Sequence, residues 1–430
     1  MPKIQTSASK QKIYDLVTVI AIVCALGFPG NYVTYIGESG GMAIQYGMFL
    51  VELFVMLASS GSSILECKIV NLKQKYAILY LFIAIVFIES MLATNYPKEQ
   101  FISCFRFSVT ILFGIWIADR YTAEEILMLI YRAQVFFIIL TIIFLIINPG
   151  LSFNRQNNDE LSFVGLFTVK NSCGFELCYG LLTQFAVYTI KKREKKTISN
   201  TFIVMLIVQV ALIVISKAMG ALLSALIVGV YIFIWNRIQH KKGRIPIGFV
   251  YSVVSIGFLF TALTVLKILT PFILSIGKDP TLTGRTKIWE QVIAMMQDTH
   301  TMTGFGFNMF WRDESAYSLL HSFFRKDSWF SSMMFGTHNA VLELWIEIGL
   351  IGIAAYFIAV LYSFRKINKA NNTQYVLICS FMLLFLFEGL TERIFTVSNF
   401  KTLCIFMLMA IGNQCSDIGA QNTSTYVRQE

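Results

Sequence analysis

His338-Asn339 pairs an imidazole with a residue suited to capping a helix. A histidine of ordinary pKa, about 6.5, accepts a proton from a sugar hydroxyl near neutral pH. Asn339 is expected to cap the apolar run that follows. Glu343 and Glu347, one and two turns into that run, are candidates for orienting the imidazole or for binding polar groups of a substrate. A second group lies earlier, where Thr283-Gly284-Arg285-Thr286 opens a stretch with helical periodicity. Free backbone N–H groups and a guanidinium would then converge on one spot. An arginine there opposes the helix dipole unless an anion joins it, and phosphate, which arginine grips through two oxygens, fits. Lys170 and Lys217 complete the set, both inside apolar segments. Charges at that depth are costly and functional by default. The competing expectation is that they pair with Glu52, Glu89, Glu176, Glu343 or Glu347. Arg132, nearer the cytoplasmic end of its span, and Arg106, in an outer half but without a partner motif, are weaker candidates.

These residues need a scaffold, and composition names its kind. Of 430 residues 56% are hydrophobic and 14% charged, against roughly 25% charged in soluble domains. Twelve apolar runs recur from residue 13 to residue 413: 13–29, 41–59, 76–94, 101–118, 127–148, 165–190, 201–216, 219–236, 246–276, 340–363, 374–390 and 396–413. Each is read as a helix, because unpaired backbone groups cannot stay in lipid. The predicted fold is therefore an all-α polytopic membrane protein of about twelve spans, forming a single integral membrane domain over 1–430. The divisions near 217 and near 390, where Glu388, Glu392 and Arg393 interrupt the pattern, are the least regular. The net charge of +10 is spread over short loops, which argues against a nucleic-acid partner. The eight cysteines show no metal-ligand or disulfide spacing, and no metal or cofactor is expected. The lysine-led run at 13–29 is read as an uncleaved first span.

Cations choose the sides. Lys68, Lys73 and Lys75, the cluster 191–196, then Arg237, Lys241, Lys242 and Arg244, and finally Arg365, Lys366 and Lys369 fall on the side of the amino terminus. The positive-inside rule then makes both termini cytoplasmic. The long segment 277–339 faces outward. It holds His300, His321, His338, Trp289, Trp311 and Trp329, and a loop of that length is usually functional or partly folded. Within it Ile288, Trp289, Val292, Ile293 and Met296 predict an amphipathic helix near 286–298, packing the loop to the bundle or lying on the outer surface. Arg285, Lys217 and Lys170 all belong to the outer half. Three positive groups there suit one amphiphilic polyanion with its tail in the bilayer, such as a lipid-linked pyrophosphate.

Three stretches in this order carry a resemblance: Gly165 to Gly174 with Lys170-Asn171 inside it; Thr281 to Trp289 followed by Gly304-Phe305-Gly306-Phe307; and His338-Asn339 to Glu343 with Gly349 and Gly352. Ser216-Lys217 adds a fourth element. Over roughly 160–360 the chain resembles the O-antigen ligase and Wzy-type polysaccharide polymerase superfamily, particularly its exopolysaccharide branch. The resemblance implies a GT-C-type membrane glycosyltransferase in a bacterial cytoplasmic membrane, with its site facing outward. The substrates implied are an undecaprenyl-pyrophosphate-linked oligosaccharide donor and acceptor. It further implies that Arg285 and Lys217, with Lys170, hold the pyrophosphate, that His338 activates the acceptor, and that Asn171, Asn339 and Glu343 support them. Other polysaccharide assembly proteins are possible partners. Val169 and Val164 depart from the family's usual histidine and arginine, so that either Arg155 substitutes for them or the glycan differs.

The leading expectation is an inverting, metal-independent polymerisation of lipid-linked repeats. Its nearest alternative is ligation of the glycan to lipid A core. A flippase would place its charges near the midplane of related halves, and no such repeat is visible. A structural scaffold would tolerate loss of Arg285 and His338.

Overall fold

Helices satisfy their own backbone, and this chain is built from them. The computed structural model describes residues 8–26, 33–65, 74–93, 95–156, 160–167, 169–238, 244–275, 285–298, 300–313, 318, 336–397 and 399–415. Each of the twelve apolar runs coincides with a helix. In chain order these are α1 (Ala8–Ala25), α2 (Val33–Leu65), α3 (Ala77–Ala93), α4 (Pro97–Arg120), α5 (Ala123–Ile147), the single turn α6 (Pro149–Ser152), α7 (Lys170–Arg193), α8 (Asn200–Ser216), α9 (Met219–Ile238) and α10 (Ile247–Ser275). They continue with α11 (Arg285–Asp298), α12 (Ala340–Phe364), α13 (Asn372–Gly389) and α14 (Phe400–Gln414). Six stretches among the described residues are long and apolar enough to cross a membrane, and four shorter apolar helices accompany them. The protein is an all-α polytopic membrane protein. A small antiparallel hairpin, β1 (Phe153–Gln156) with β2 (Glu160–Phe163), pairs Phe153 with Phe163 and Arg155 with Leu161. The sequence pattern did not announce it.

The cation-rich loops gather at one end of the bundle. There Arg244 donates to the carbonyls of Asn368 and Ala370 at 2.8 and 2.6 Å, and Thr373 donates to Glu124 at 3.0 Å. A cavity of about 400 Å³ at this end is lined by Asp15, Glu124, Arg132 and Lys191, among others. The first turn of α7 lies at the opposite end, about 35 Å away along its 24 residues at 1.5 Å per residue.

Helix α12 was expected as one uninterrupted span, but it opens at Gly349, where φ is 61°. The freed carbonyls of Ile346 and Glu347 accept from the N–H groups of Phe305 and Gly306 at 2.7 and 2.9 Å. The freed N–H groups of Leu350 and Ile351 donate to the carbonyls of Thr301 and Met302 at 3.1 and 3.2 Å. Segment 301–306 thus takes over the backbone bonds that the break exposes, as membrane depth requires. Neither side of this contact tolerates a side chain. A Cβ on Gly349 would lie 2.0 Å from the Met302 carbonyl oxygen, and one on Gly304 would lie 2.7 Å from the backbone at Glu347. The Gly304-Gly306 and Gly349 motifs, far apart in sequence, are two halves of one joint.

Beyond the joint, Phe307 anchors the loop in the bundle. Its ring centroid lies 4.2 Å from that of Phe107. Its carbonyl accepts from Gln100 and its N–H donates to Ser90, both at 3.0 Å.

Candidate active site

The charged turn between α13 and α14 is where the site assembles. Glu388 ends an apolar helix, and Glu392 follows one turn later, its N–H donating to the Glu388 carbonyl at 2.7 Å. The Glu392 carboxylate then meets three groups from three distant segments. Arg285 Nη2, on the first residue of α11, donates to Oε1 at 2.7 Å. Asn171 Nδ2, in the first turn of α7, donates to the same oxygen at 2.8 Å. His338 Nδ1 lies 3.0 Å from Oε2. The Glu392 side chain is 17% exposed, and burial on its own would raise its pKa. The hydrogen bond from His338, the Arg285 charge and the bond from Asn171 overcome that and hold the carboxyl down at about 2.

Each partner is positioned for a local reason. Asn339 caps α12 as expected, its side-chain oxygen accepting from Val341 and Leu342 N–H at 3.0 Å. Its amide reaches the Leu390 carbonyl at 3.3 Å, tying the cap to the charged turn. His338, just outside the cap, has φ of 53°, a left-handed turn that breaks the chain direction there. Glu343 does not orient the imidazole, contrary to one expectation. It fixes the preceding residue instead, accepting from Thr337 N and Oγ1 at 2.8 and 2.9 Å and from Trp311 Nε1 at 2.8 Å. Glu347 likewise faces elsewhere, its carboxyl accepting from the Asn308 backbone, while its carbonyl serves the joint at Gly306. The carboxylate that meets the imidazole is Glu392.

Helix α11 packs inward. Trp289, Val292, Met295 and Met296 form a buried cluster with Phe310, Leu342 and Ile346, and Trp289 Nε1 donates to the Thr337 carbonyl at 2.9 Å. Of the two sequence expectations for this helix, attachment of the loop to the bundle is the one realised. It fixes Arg285 beside the His338 corner. Thr283 and Gly284, which were expected to open the helix, lie outside the described residues, as do His321 and Trp329. His300 sets its ring against Phe305, the centroids 4.2 Å apart and the planes tilted by 34°.

The two lysines reach this end through one close approach. Lys170 is the first residue of α7, beside Asn171. Lys217 is an exposed residue in the left-handed conformation, φ 54°, closing α8 before α9 begins. Gly174, one turn after Lys170, is where the helices touch. A Cβ there would lie 2.4 Å from Ala218 Cβ and 3.4 Å from Ser216 Oγ. The residues flanking Lys217 therefore pack directly on the first turn of α7.

A family model described as O-antigen ligase matches residues 201–357, the span holding Lys217, Arg285, the Gly304–Gly349 joint and His338. Over this segment the chain is similar to that family. The exopolysaccharide production protein ExoQ of Rhizobium meliloti (strain 1021) is 26% identical over 210 residues, 47% of this chain and 47% of that relative. The match thus spans about half the length of the relative.

Within the matched segment Arg285 and His338 were legible from the sequence as candidates. Glu392 lies outside 201–357, and its only sequence signal was a charge interrupting an apolar run. Beneath it, Glu388 is fully buried, with Lys401 Nζ at 2.5 Å and Tyr179 donating to its second oxygen. This buried pair pins the turn that carries Glu392.

Proposed function

We propose that the chain is a glycosyltransferase that polymerises lipid-linked oligosaccharide repeats, with undecaprenyl pyrophosphate as the leaving group. The observation that carries this reading is the meeting of Arg285, His338 and Asn171 on one ionised carboxylate, Glu392. An ionised carboxylate only accepts, so it places the imidazole hydrogen on Nδ1 and leaves the Nε2 lone pair outward. His338 Nε2 then takes the proton of the acceptor hydroxyl. The freed oxygen attacks the anomeric carbon of the donor as the bond to the diphosphate oxygen breaks, which inverts that carbon. Glu392 stabilises the resulting imidazolium, as an orienting carboxylate does in hydrolytic triads. Arg285 spends one nitrogen on Glu392, and the rest of its planar fork faces the leaving diphosphate. Lys217 and Lys170 add charge where negative charge develops. The proton returns to the released diphosphate or to water.

The two comparisons favour different readings, the relative the polymerase and the family model the ligase. The relative's name concerns exopolysaccharide production, whereas the family model is described as O-antigen ligase. Both reactions use one donor and differ in acceptor. The outward orientation follows from the cation-rich loops at the end opposite the site, which the positive-inside rule assigns to the cytoplasm. Glycan analysis of a deletion strain decides: single repeats left attached to their final carrier indicate a lost polymerase, and absence of any attached repeat indicates a lost ligase. Strains complemented with His338→Ala or Glu392→Gln are expected to reproduce the deletion.

A further inference from the structure

Arg393 follows the central carboxylate directly, yet the reaction above does not use it. Its Nη1 lies 3.8 Å from Glu343 Oε1, beyond hydrogen-bond reach, and its side chain is 47% exposed. Glu343 does not need it for hydrogen bonding, because three donors already satisfy that carboxylate: Thr337 N, Thr337 Oγ1 and Trp311 Nε1. The guanidinium fork thus keeps donors to offer. Trp311 stands on the same Glu343 oxygen at 2.8 Å. Its indole nitrogen is therefore within about 7 Å of the guanidinium nitrogen, the sum of the two distances. The indole is half-buried and braced edge-on by Phe310 at 4.8 Å. Glu343 also sets the Thr337 backbone and with it the His338 corner. One buried carboxylate thus holds the indole and the backbone that carries the base, with a half-exposed guanidinium beside it.

We propose that Arg393 and Trp311 form a subsite for an acceptor sugar that bears a carboxylate. The proposal rests on the glycosyl-transfer reading for the identity of the acceptor side, since the base marks where the attacking hydroxyl must lie. A planar carboxylate matches the guanidinium fork with two parallel hydrogen bonds, and the apolar face of a pyranose covers an indole. A single guanidinium beside one buried carboxylate suits a monoanion, whereas the diphosphate has Arg285 and the two lysines at its own side. The carboxylate is that of a uronic acid or of a pyruvyl ketal.

The test is equilibrium binding, which needs no turnover. Full-length protein in nanodiscs of neutral lipid is titrated with the free repeat-unit oligosaccharide released from the host's own polysaccharide. Three forms are compared: native, carboxyl-reduced, and treated with mild acid to remove ketals. The native form is expected to bind at least about tenfold more tightly than the reduced form. If mild acid alone abolishes the difference, the carboxylate is a ketal's; if it does not, it is a uronic acid's. Arg393→Gln is expected to abolish the preference, and Arg393→Lys, which keeps the charge beside Glu343 should the first variant fold poorly, to leave a reduced one. Trp311→Phe is expected to weaken both forms alike. Equal binding of native and reduced glycan by the wild-type protein, a repeat unit without any carboxylate, or an Arg393→Gln protein that keeps the preference each overturns the proposal. Normal discrimination in a protein that transfers nothing would instead overturn the glycosyl-transfer reading and leave the subsite standing.

Discussion

Glu392 faces His338 Nδ1 at 3.0 Å across 54 residues of sequence, while its other oxygen holds Arg285 at 2.7 Å. The same carboxylate thus touches the proposed base and the proposed diphosphate clamp. Loss of Glu392 should therefore disorient the base and release Arg285 at once, a combination that loss of either partner does not give.

Glu392→Gln keeps the shape of the side chain but no longer forces the hydrogen onto Nδ1, and it removes the anion beside Arg285. Transfer by this variant is expected to fall by about 100-fold or more, the scale of a general-base defect. Donor affinity should not weaken, since Arg285 loses a competitor. Initial rates and donor binding, measured on the same preparation, check both halves.

The depressed pKa of Glu392 makes a stability prediction with a definite sign. Its folded pKa, about 2, lies below the ordinary 4.5. The carboxylate therefore stabilises the fold fully above about pH 4.5, and this contribution drains away as pH falls toward 2. The difference in melting temperature between wild type and Glu392→Gln should be larger at pH 6 than at pH 3, as read by thermal denaturation in detergent or nanodiscs. A difference that grows on acidification would contradict the arrangement around Glu392.

Arg285→Lys retains a positive charge but not the fork that can serve Glu392 and a phosphate together. Partial activity is expected, with a raised donor KM. Arg285→Ala should lose transfer almost completely while the bundle stays folded, because the guanidinium lies at the edge of the site and not in the core.

Gly349→Ala tests the joint between α12 and the 301–306 segment. The added carbon would meet the Met302 carbonyl at 2.0 Å, in a backbone of φ 61° that disfavours alanine. A destabilisation of roughly 2 kcal/mol or more is expected. Protease protection of the segment around Phe305 should fall along with the melting temperature.

Lys401→Met breaks the buried pair with Glu388 without reaching the proposed substrates. Leaving that carboxylate uncompensated should cost roughly 3–5 kcal/mol, and the double variant with Glu388→Leu should recover much of it. Rescue by the double variant would separate a positioning role from a chemical one.

Helical periodicity and hydropathy made the helices legible because each span must bury its own backbone and face lipid or neighbours. The same logic flagged Lys170 and Lys217, since a cation in an apolar setting is rare, and Arg285 stood out at the opening of a helix. His338 and its cap were legible from the Asn339 pattern. Three relations were not. The break at Gly349 looked like an apolar helix, because the partners of its freed backbone groups come from a loop more than 40 residues earlier. Glu392 looked like an interruption, because a carboxylate's value here depends on three groups that only folding brings to it. Glu343 was near enough in sequence to serve His338, but the left-handed turn at His338 aims the imidazole at the α13–α14 turn instead.

The most direct test of the glycosyl-transfer account is elongation of purified lipid-linked repeat units by the protein in nanodiscs, with the His338→Ala variant run beside wild type. Wild type is expected to build a ladder of longer lipid-linked glycans, and His338→Ala to build none while still binding the donor. A ladder from His338→Ala at the wild-type rate would contradict the account.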